Sequence, residues 1–372
     1  MKKFLYILLP TLFLCMIAGS GYFAARYAIS AKTDKFIQLF ERAETLTGAL
    51  SVPQLNQEQR SKFHTAYSDA SVNPDVISWS VPNQLTPFVG TAPSPGQHHN
   101  AHINSWQMRS QKELALPKPD NVYRIFLTGG STAYGSGAPS QEKIIGSILE
   151  TLLNKGESSH YEVFTFANPA WSSTHERIGI ENYLSELQPD LVISLSGNND
   201  VFWADAGRNV LWFSTFADDY YAILANDALK ISGRKEIPAL SHATPAAEKI
   251  SPETVAYRLE KNIRLGALSL ERAKVNWVFF LQPTLSVTQK QLSHRESAFL
   301  TSSKDYYQAC YLSIRSTLAQ IDLKNFKFVD ISGIFDKSDA QNDIFLDQFH
   351  FGDKGNALIA QAIHAELTKV LK

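Results

Sequence analysis

Four short polar segments of the sequence carry side chains that could perform acyl transfer. They are residues 129–132 (GGST), 168–173 (NPAWSS), 197–200 (GNND) and 347–350 (DQFH). A serine hydroxyl becomes a nucleophile when a base, usually histidine, takes its proton, and that histidine needs an acceptor on its other ring nitrogen. Ser131 is the candidate nucleophile. Asp347 and His350 are three residues apart, so one turn can present them as acceptor and base.

The same segments offer donors for the oxyanion of a tetrahedral intermediate, which needs preorganised hydrogen bonds. We expect these donors to be the backbone N–H groups of Ser131 and Ser173 and the side-chain amide of Asn199. Trp171 and Trp203 lie within or just after the segments. They are candidate substrate-binding side chains, with the core as the alternative place for such large apolar rings.

The first three of these segments each follow a predicted strand, and the fourth precedes the last predicted helix. The apolar runs YRIFLTGG, YEVFTFANPAW, LVISLSGNND, VNWVFFLQPTL and FKFVDIS predict strands, the third of which runs into a loop, and the amphipathic stretches between them predict helices. This alternation favours an α/β fold, namely a three-layer α/β/α sandwich with a mostly parallel, flavodoxin-like sheet. Sites in such folds gather at the carboxyl ends of the strands, so the polar segments should meet at one edge of the sheet.

The N-terminus carries an apolar run without charge, Phe4–Ala25, which is long enough to span a bilayer as a helix. A cleaved signal peptide ending near Ala18–Ser20 is the alternative. We therefore expect residues 1–30 to be a transmembrane anchor or signal segment, and favour a single-pass inner-membrane protein with a periplasmic catalytic domain. Residues 31–119 would be a membrane-proximal helix and loop-rich extension. Residues 120–372 would form the α/β domain, with an aromatic insertion around 201–247.

The composition favours a globular chain and excludes some partners. Apolar residues make up 44% of the 372 residues, charged residues 19%, and the formal net charge is −1. A chain with this charge is not expected to bind nucleic acid electrostatically. The two cysteines, Cys15 and Cys310, are not expected to pair. The loop histidines His98, His99 and His102 lack nearby acidic or cysteine partners, so we expect neither a metal nor another cofactor.

Other interpretations of the glycine-rich segment remain open from the residues alone. A strand-to-helix turn capped by Ser131 or Thr132 would have the same sequence. The segment GGSTAYGSG lacks the lysine and spacing of a phosphate-binding P-loop. It also lacks the last glycine of a G-x-S-x-G nucleophile elbow, since Ala133 stands there.

Taken together, the four segments resemble the sequence blocks of the SGNH (GDSL-type) hydrolases, and the resemblance extends from about Ile103 to Lys372. Two residues depart from the family pattern. Gly130 stands where the first block usually has aspartate, and Ser173 stands where the second block has its oxyanion glycine. A backbone N–H survives the change from glycine to serine, but serine is strained if that position needs a positive φ.

The resemblance implies a serine esterase or acylhydrolase that works without metal or cofactor. Ser131 would form an acyl-enzyme, with His350 as its base and Asp347 orienting His350. The substrate would be a carboxylic ester, namely the acetyl or acyl ester of a glycan, a lipid or a small molecule. One alternative is an O-acyltransferase that uses the same three residues on envelope polysaccharide. The other is a catalytically degenerate member that binds a glycan or a partner.

Overall fold

The computed structural model describes residues 16–32, 34–35, 64–69, 71–72, 77, 79, 81–156, 160–208, 229–230 and 248–369. The strands are β1 (Asn83–Thr86), β2 (Gly90–Pro93), β3 (Gly96–His98), β4 (Ala101–Ile103), β5 (Val122–Gly129), β6 (His160–Ala167), β7 (Leu191–Ser196), β8 (Asn276–Leu281) and β9 (Phe326–Asp330). The last five form one parallel sheet in the order β6–β5–β7–β8–β9. The predicted α/β fold with a parallel sheet is confirmed.

Strands β5 to β8 are largely buried on both faces, which is why they are continuous apolar runs, whereas the edge strand β9 is only partly buried. Phe126 and Val192 pack into the hydrophobic cluster on one face of the sheet. Ile125 and Ile193, one residue away on the same strands, pack into the cluster on the other face. Successive side chains of a strand point to opposite faces, so the same strands supply both cores.

Helices cover both faces of the sheet. They are α1 (Ser131–Tyr134), α2 (Ile145–Leu153), α3 (Ser173–Asn182), α4 (Asn198–Asp205), α5 (Pro252–Arg272), α6 (His294–Ser297), α7 (Lys304–Leu318) and α8 (Asp353–Leu367). Helices α3, α5 and α7 contribute to the core that contains Phe126, whereas α2 and α8 contribute to the core that contains Ile125. The long helix α5 begins with Pro252 after Ser251, whose side chain accepts a hydrogen bond from Thr254 N.

The topology fixes where a site can form. The chain passes from β5 to its neighbour β6 on one side, and then crosses from β6 to β7, which lies on the other side of β5. The direction in which strands are added to the sheet therefore reverses at β5. Ligand sites of open α/β sheets lie at this switch point, outside the carboxyl ends of the strands. Helix α1 follows β5 and helix α4 follows β7, so Ser131 and Asn199 both lie at that edge.

Two segments differ from the loops that the sequence predicts. The segment 197–200 opens helix α4 instead of continuing as a loop. The extension contains two antiparallel hairpins, β1–β2 and β3–β4. Beyond them, Arg109 N donates to Thr165 O at 2.9 Å, so the extension also bonds to the edge strand β6.

The predicted N-terminal membrane helix falls largely outside the described residues, since residues 4–15 are not among them. Residues 16–32 are helical. Within the part of the chain that the structure describes, no helix is both long and apolar enough to cross a membrane. Most of the predicted membrane-proximal helix and of the aromatic insertion, residues 36–63 and 209–228 and 231–247, also lies outside the described residues.

Candidate active site

Ser131, His350 and Asp347 form a hydrogen-bonded line at the carboxyl edge of the sheet. Ser131 Oγ lies 2.8 Å from His350 Nε2, and His350 Nδ1 lies 2.6 Å from Asp347 Oδ2. Ser131 is the first residue of α1, directly after β5, while the other two share one turn before α8. The structure thus brings Ser131 to a histidine that lies 219 residues later in the sequence and is already paired with its aspartate, in the order that nucleophilic catalysis by serine requires.

The carboxylate of Asp347 is held in its charged form. Burial alone would raise its pKa, but the charge of His350 and hydrogen bonds from His350 and two backbone N–H groups outweigh burial. These N–H groups belong to Phe349 and His350 and donate to Asp347 Oδ1 at 2.7 and 2.9 Å. The net effect is a pKa below the ordinary value for aspartate. A charged Asp347 keeps the proton of His350 on Nδ1 and leaves Nε2 facing Ser131.

The histidine turn is tied to the end of β8 and to the turn that carries Ser131. Gln348 O accepts hydrogen bonds from Thr284 Oγ1 and from Leu285 N, both at 3.0 Å. Thr132 Oγ1 lies 3.4 Å from Phe349 O and accepts from Gln282 Nε2 at 3.3 Å. Residues from α1, from the segment that follows β8 and from the turn before α8 therefore fix one another, which preorganises the three reacting side chains.

The amide of Asn199 lies beside the nucleophile turn. Its Nδ2 donates to Trp171 O at 2.7 Å, and an amide group carries a second N–H that this bond does not use. A Cβ atom built on Gly130 would lie 2.2 Å from Asn199 Nδ2, so the amide fills the space next to the residue before Ser131. The N–H of Ser131 is in the first turn of α1 and has no partner within that helix. Two of the three predicted donors, Ser131 N–H and the Asn199 amide, thus lie at the nucleophile.

The structure does not place Ser173 as the sequence predicts. Ser173 N donates to Asp200 Oδ2 at 3.1 Å, and Ser173 Oγ donates to Asp200 Oδ1 at 2.5 Å. The expected oxyanion donor is therefore corrected, because this N–H already serves a buried carboxylate. Asn262 Nδ2 in turn donates to Ser173 Oγ at 2.8 Å. Ser173 joins the beginnings of α3 and α4, and so fixes the helix that carries Asn199.

The carboxylates of Asp200 and Glu176 are buried in this region. Burial raises the pKa of Asp200 to about 6, although its hydrogen bonds from Ser173 act in the opposite direction. Burial likewise raises the pKa of Glu176 to about 7, against hydrogen bonds from Ser196, Thr128 and Ser194. Thr128 Oγ1 donates to Glu176 Oε2 at 2.7 Å, and Ser196 Oγ donates to Glu176 Oε1. No pattern in the sequence indicates Glu176, which stands on an ordinary helical stretch.

The two predicted substrate-binding tryptophans have different places. Trp171 is only 2% exposed, and its indole N–H donates to Thr91 O at 3.1 Å. It belongs to the hydrophobic core, so the substrate-binding prediction for Trp171 is corrected. Trp203 is partly buried and packs against the same core, and its indole N–H donates to Ala170 O at 3.2 Å. Trp203 remains a candidate substrate-binding residue because it lies on α4, one turn after Asn199.

Sequence reasoning missed two aromatic side chains near the triad. Phe202 is 39% exposed on the first turns of α4, and its ring centroid lies 5.8 Å from that of Phe349, the neighbour of His350. Its position three residues after Asn199 is the signal that could have identified it, since residues three apart share a helix face. Trp79, from the extension, packs edge-on against His350 with ring centroids 6.1 Å apart.

A metal site is not formed by the loop histidines. His98 Nε2 lies 2.8 Å from Ser94 O, and His102 Nδ1 lies 2.7 Å from Ser110 O. Across the residues that the structure describes, no three histidine, cysteine, aspartate or glutamate side chains gather as metal ligands.

Known proteins provide an independent comparison. No curated protein matches the sequence. Among solved structures, an alpha/beta hydrolase enzyme from the metagenome of Lake Arreo shares 14% identity, covers 65% of this chain and 94% of its own, and has a TM-score of 0.42. The acetyl xylan esterase AlAXEase shares 17% identity, and the match covers 65% of this chain and 98% of the esterase, with a TM-score of 0.41. A lipase from a goat rumen metagenome shares 12% identity, and the match covers 65% of this chain and 96% of the lipase, with a TM-score of 0.41.

The family assignment rests on the sequence itself. The GDSL-like Lipase/Acylhydrolase family matches residues 125–363, which is more than half of the chain and contains all four polar segments. This confirms the family resemblance that the residues carry. The chain belongs to the GDSL-like lipase and acylhydrolase family.

Proposed function

We propose that the protein is a serine-dependent esterase that hydrolyses a carboxylic ester through an acyl-enzyme on Ser131. The observation that carries this proposal is the line from Ser131 Oγ through the imidazole of His350 to Asp347, at 2.8 and 2.6 Å. Membership of an acylhydrolase family is consistent with it. A structural serine would not need a histidine oriented by a charged carboxylate.

In the first half of the reaction, Ser131 Oγ attacks the ester carbonyl carbon and His350 Nε2 takes the serine proton. The carbonyl oxygen becomes an oxyanion, which accepts hydrogen bonds from Ser131 N–H and the second N–H of Asn199 Nδ2. The bond to the alcohol oxygen then breaks, and His350 gives its proton to the departing alcohol. The acyl group remains on Ser131 Oγ as an ester.

In the second half, His350 takes a proton from water while the water oxygen attacks the acyl-enzyme. A second oxyanion forms at the same donors. The bond to Ser131 Oγ breaks, the proton returns from His350 to the serine, and the carboxylic acid leaves. Asp347 stabilises the imidazolium in both halves without itself being protonated.

The acyl or alcohol part of the substrate would lie against the aromatic side chains of α4. Phe202 is exposed beside the triad, and Trp203 is its neighbour, with ring centroids 5.0 Å apart. Aromatic faces suit a sugar ring or an acyl chain, so a glycan or lipid ester fits this wall. We also propose that the apolar N-terminal run holds the protein at the inner membrane with the catalytic domain in the periplasm.

An ester panel tests the function. Purified full-length protein is given p-nitrophenyl esters from acetate to octanoate, and hydrolysis is followed by the release of p-nitrophenol. Acetylated oligosaccharides are tested in parallel, with release of acetate as the measurement. We expect activity in the wild type and a loss of about 10³-fold or more in Ser131→Ala and His350→Ala. Ser316→Ala and His294→Ala, which replace exposed residues of the same types, serve as matched controls.

Labelling with a fluorophosphonate separates a nucleophile from a binding site. We expect covalent modification of the wild type and none of Ser131→Ala. Equal labelling of both proteins would contradict the proposal. Acyl transfer to an added oligosaccharide that outruns hydrolysis would contradict it too, in favour of an acyltransferase.

A further inference from the structure

The described residues between 64 and 81, which we call the N-terminal clamp, contact the loop that follows the nucleophile. Tyr67 OH donates to Gly137 O at 2.9 Å, and this hydrogen bond is buried. Ser136 Oγ donates to Trp79 O at 2.6 Å, also within the interior. The clamp thus bonds twice to the residues directly after α1, the short helix that begins with Ser131.

The clamp also contacts the turn that carries the histidine. Ala66, Tyr67, Ile77 and Trp79 form a small hydrophobic cluster with Leu346, the residue before Asp347. Leu346 N donates to His350 O at 2.8 Å, which closes the turn. The clamp also bonds to the first residues of α8, which follow that turn. Ser68 N donates to Asp353 Oδ1 at 2.8 Å, and Lys354 Nζ donates to Thr65 O at 2.8 Å.

Glycines stand in both catalytic loops where the clamp approaches them. A Cβ atom on Gly137 would lie 3.2 Å from the indole ring of Trp79 and 2.6 Å from Leu346 Cδ1. A Cβ atom on Gly352 would lie 2.1 Å from Ala66 O, closer than real Cβ contacts allow. Gly137 has a φ of +87°, which by itself favours glycine, so the argument rests on Gly352. At Gly352 the close approach of Ala66 O leaves no room for a side chain, which is an observation independent of the hydrogen bonds.

At the centre of the clamp, the indole of Trp79 packs against the imidazole of His350. The two rings are nearly perpendicular, at 84°, with centroids 6.1 Å apart, and Trp79 is only 9% exposed. Hydrogen bonds to Ser131 and Asp347 direct the two nitrogens of the imidazole. A large ring beside it restricts the remaining rotations and excludes water from that side.

We propose that the N-terminal clamp is part of the active site and that Trp79 is a positioning residue for His350. The functional unit then begins near residue 64, and not at residue 120 where the sequence predicts the α/β domain to begin. The inference rests on the proposed ester hydrolysis. It assigns a role to the extension that the family match, which begins at residue 125, does not cover.

The test compares three full-length variants in steady-state ester hydrolysis. For Trp79→Ala we expect kcat to fall about 10-fold or more while KM stays within twofold, because the substrate is still bound but His350 is less well oriented. Trp79→Phe keeps an aromatic ring against His350, so we expect kcat within about threefold of the wild type. Trp106→Ala is the matched control, since Trp106 is an exposed tryptophan of the same extension and should leave kcat unchanged.

The outcomes separate this inference from the proposed function. No ester hydrolysis by the wild type would refute the function itself. An active wild type whose folded Trp79→Ala variant keeps its kcat, or is not rescued by Trp79→Phe, would overturn the inference. If Trp79→Ala does not fold, Tyr67→Phe decides, because it removes only the hydroxyl that bonds Gly137 O. A kcat lowered about threefold or more at unchanged KM then supports the inference, and a wild-type kcat overturns it.

Discussion

The side-chain amide of Asn199 lies where a Cβ atom of Gly130 would be, at 2.2 Å from its ideal position. Gly130 has φ −89° and ψ −153°, a conformation that any residue adopts. Its lack of a side chain is therefore required by the close approach of Asn199, and not by its backbone geometry. A side chain at position 130 of this chain would meet the amide, so the glycine there and the position of Asn199 belong together.

We expect Gly130→Ala to lower kcat about 10- to 100-fold by displacing Asn199 Nδ2 from the oxyanion. The unfolding temperature should also fall, because the displaced amide loses its hydrogen bond to Trp171 O. Asn199→Ala alone should lower kcat about 10²- to 10³-fold, as the loss of an oxyanion donor does. Steady-state ester kinetics and thermal unfolding measure these effects.

The double variant makes the test specific. If Gly130 only makes room for Asn199, then Gly130→Ala should cost almost nothing further in the Asn199→Ala background, because the two changes remove the same interaction. Additive losses in kcat would show that the methyl group disturbs Ser131 directly.

For Ser173 we expect a change in stability and not in catalysis. Ser173→Gly restores the glycine of the family pattern, but its N–H still donates to Asp200. The free energy of unfolding should fall by about 1–2 kcal/mol, since the hydroxyl bonds to Asp200 and Asn262 are lost and the unfolded chain gains freedom. Ser173→Ala is the matched control, because it removes the hydroxyl alone. A rise in kcat of about 10-fold for Ser173→Gly would restore the oxyanion role that the sequence predicts.

These positions show which parts of the site can be predicted from the sequence. Strand ends are local signals, since an apolar run stops at a polar segment, so Ser131 and Asn199 can be identified without knowledge of their contacts. His350 has a different local signal, namely its place three residues after Asp347 and just before the last helix. The place of Ser173 in its block predicts an oxyanion donor, but the direction of its N–H depends on Asp200 and on how α3 packs beside α4. Trp79 carries no such signal, because its partner lies at the other end of the chain and only tertiary packing joins them.

Replacing Asp347 with asparagine tests the orientation of His350. The asparagine side chain would keep an oxygen for the N–H groups of Phe349 and His350, so the turn should remain folded. Its amide nitrogen cannot accept from His350 Nδ1, so the wrong tautomer is favoured and kcat should fall roughly 10²- to 10⁴-fold. Ester kinetics with circular dichroism as the folding control measure this. A loss below about threefold in a folded variant would contradict the role of Asp347.

The exposed ring of Phe202 should determine substrate preference. We expect Phe202→Ala to raise KM about 3- to 10-fold for the preferred glycan or long-chain ester, because an apolar contact at the rim is lost. Hydrolysis of p-nitrophenyl acetate, which has neither a sugar nor a long acyl chain, should change less than twofold. Leu312→Ala, a change at an exposed apolar residue of α7, is the control. Equal effects on large and small esters would argue against a substrate wall.

The pH dependence of stability should reveal the buried carboxyl group of Glu176. Burial raises its pKa in the folded protein from 4.5 to about 7, so the folded state binds the proton more tightly than the unfolded state does. This contribution to the free energy of unfolding is fully present below about pH 4.5 and is lost as the pH rises through about 7. Glu176→Gln cannot titrate, and its amide still offers an oxygen to the hydroxyls of Thr128 or Ser196.

Between about pH 4.5 and pH 7.5 we therefore expect the wild type to lose stability relative to Glu176→Gln, by an amount of the order of 1–3 kcal/mol. Asp200 has a pKa raised to about 6, acts with the same sign and is present in both proteins. The difference therefore reports Glu176 together with its interaction with the charge of Asp200. Urea unfolding at several pH values measures that difference, and Glu186→Gln, at an exposed residue, should show the wild-type pH dependence. A difference between the wild type and Glu176→Gln that does not vary with pH would mean that Glu176 is charged in the folded protein throughout this range.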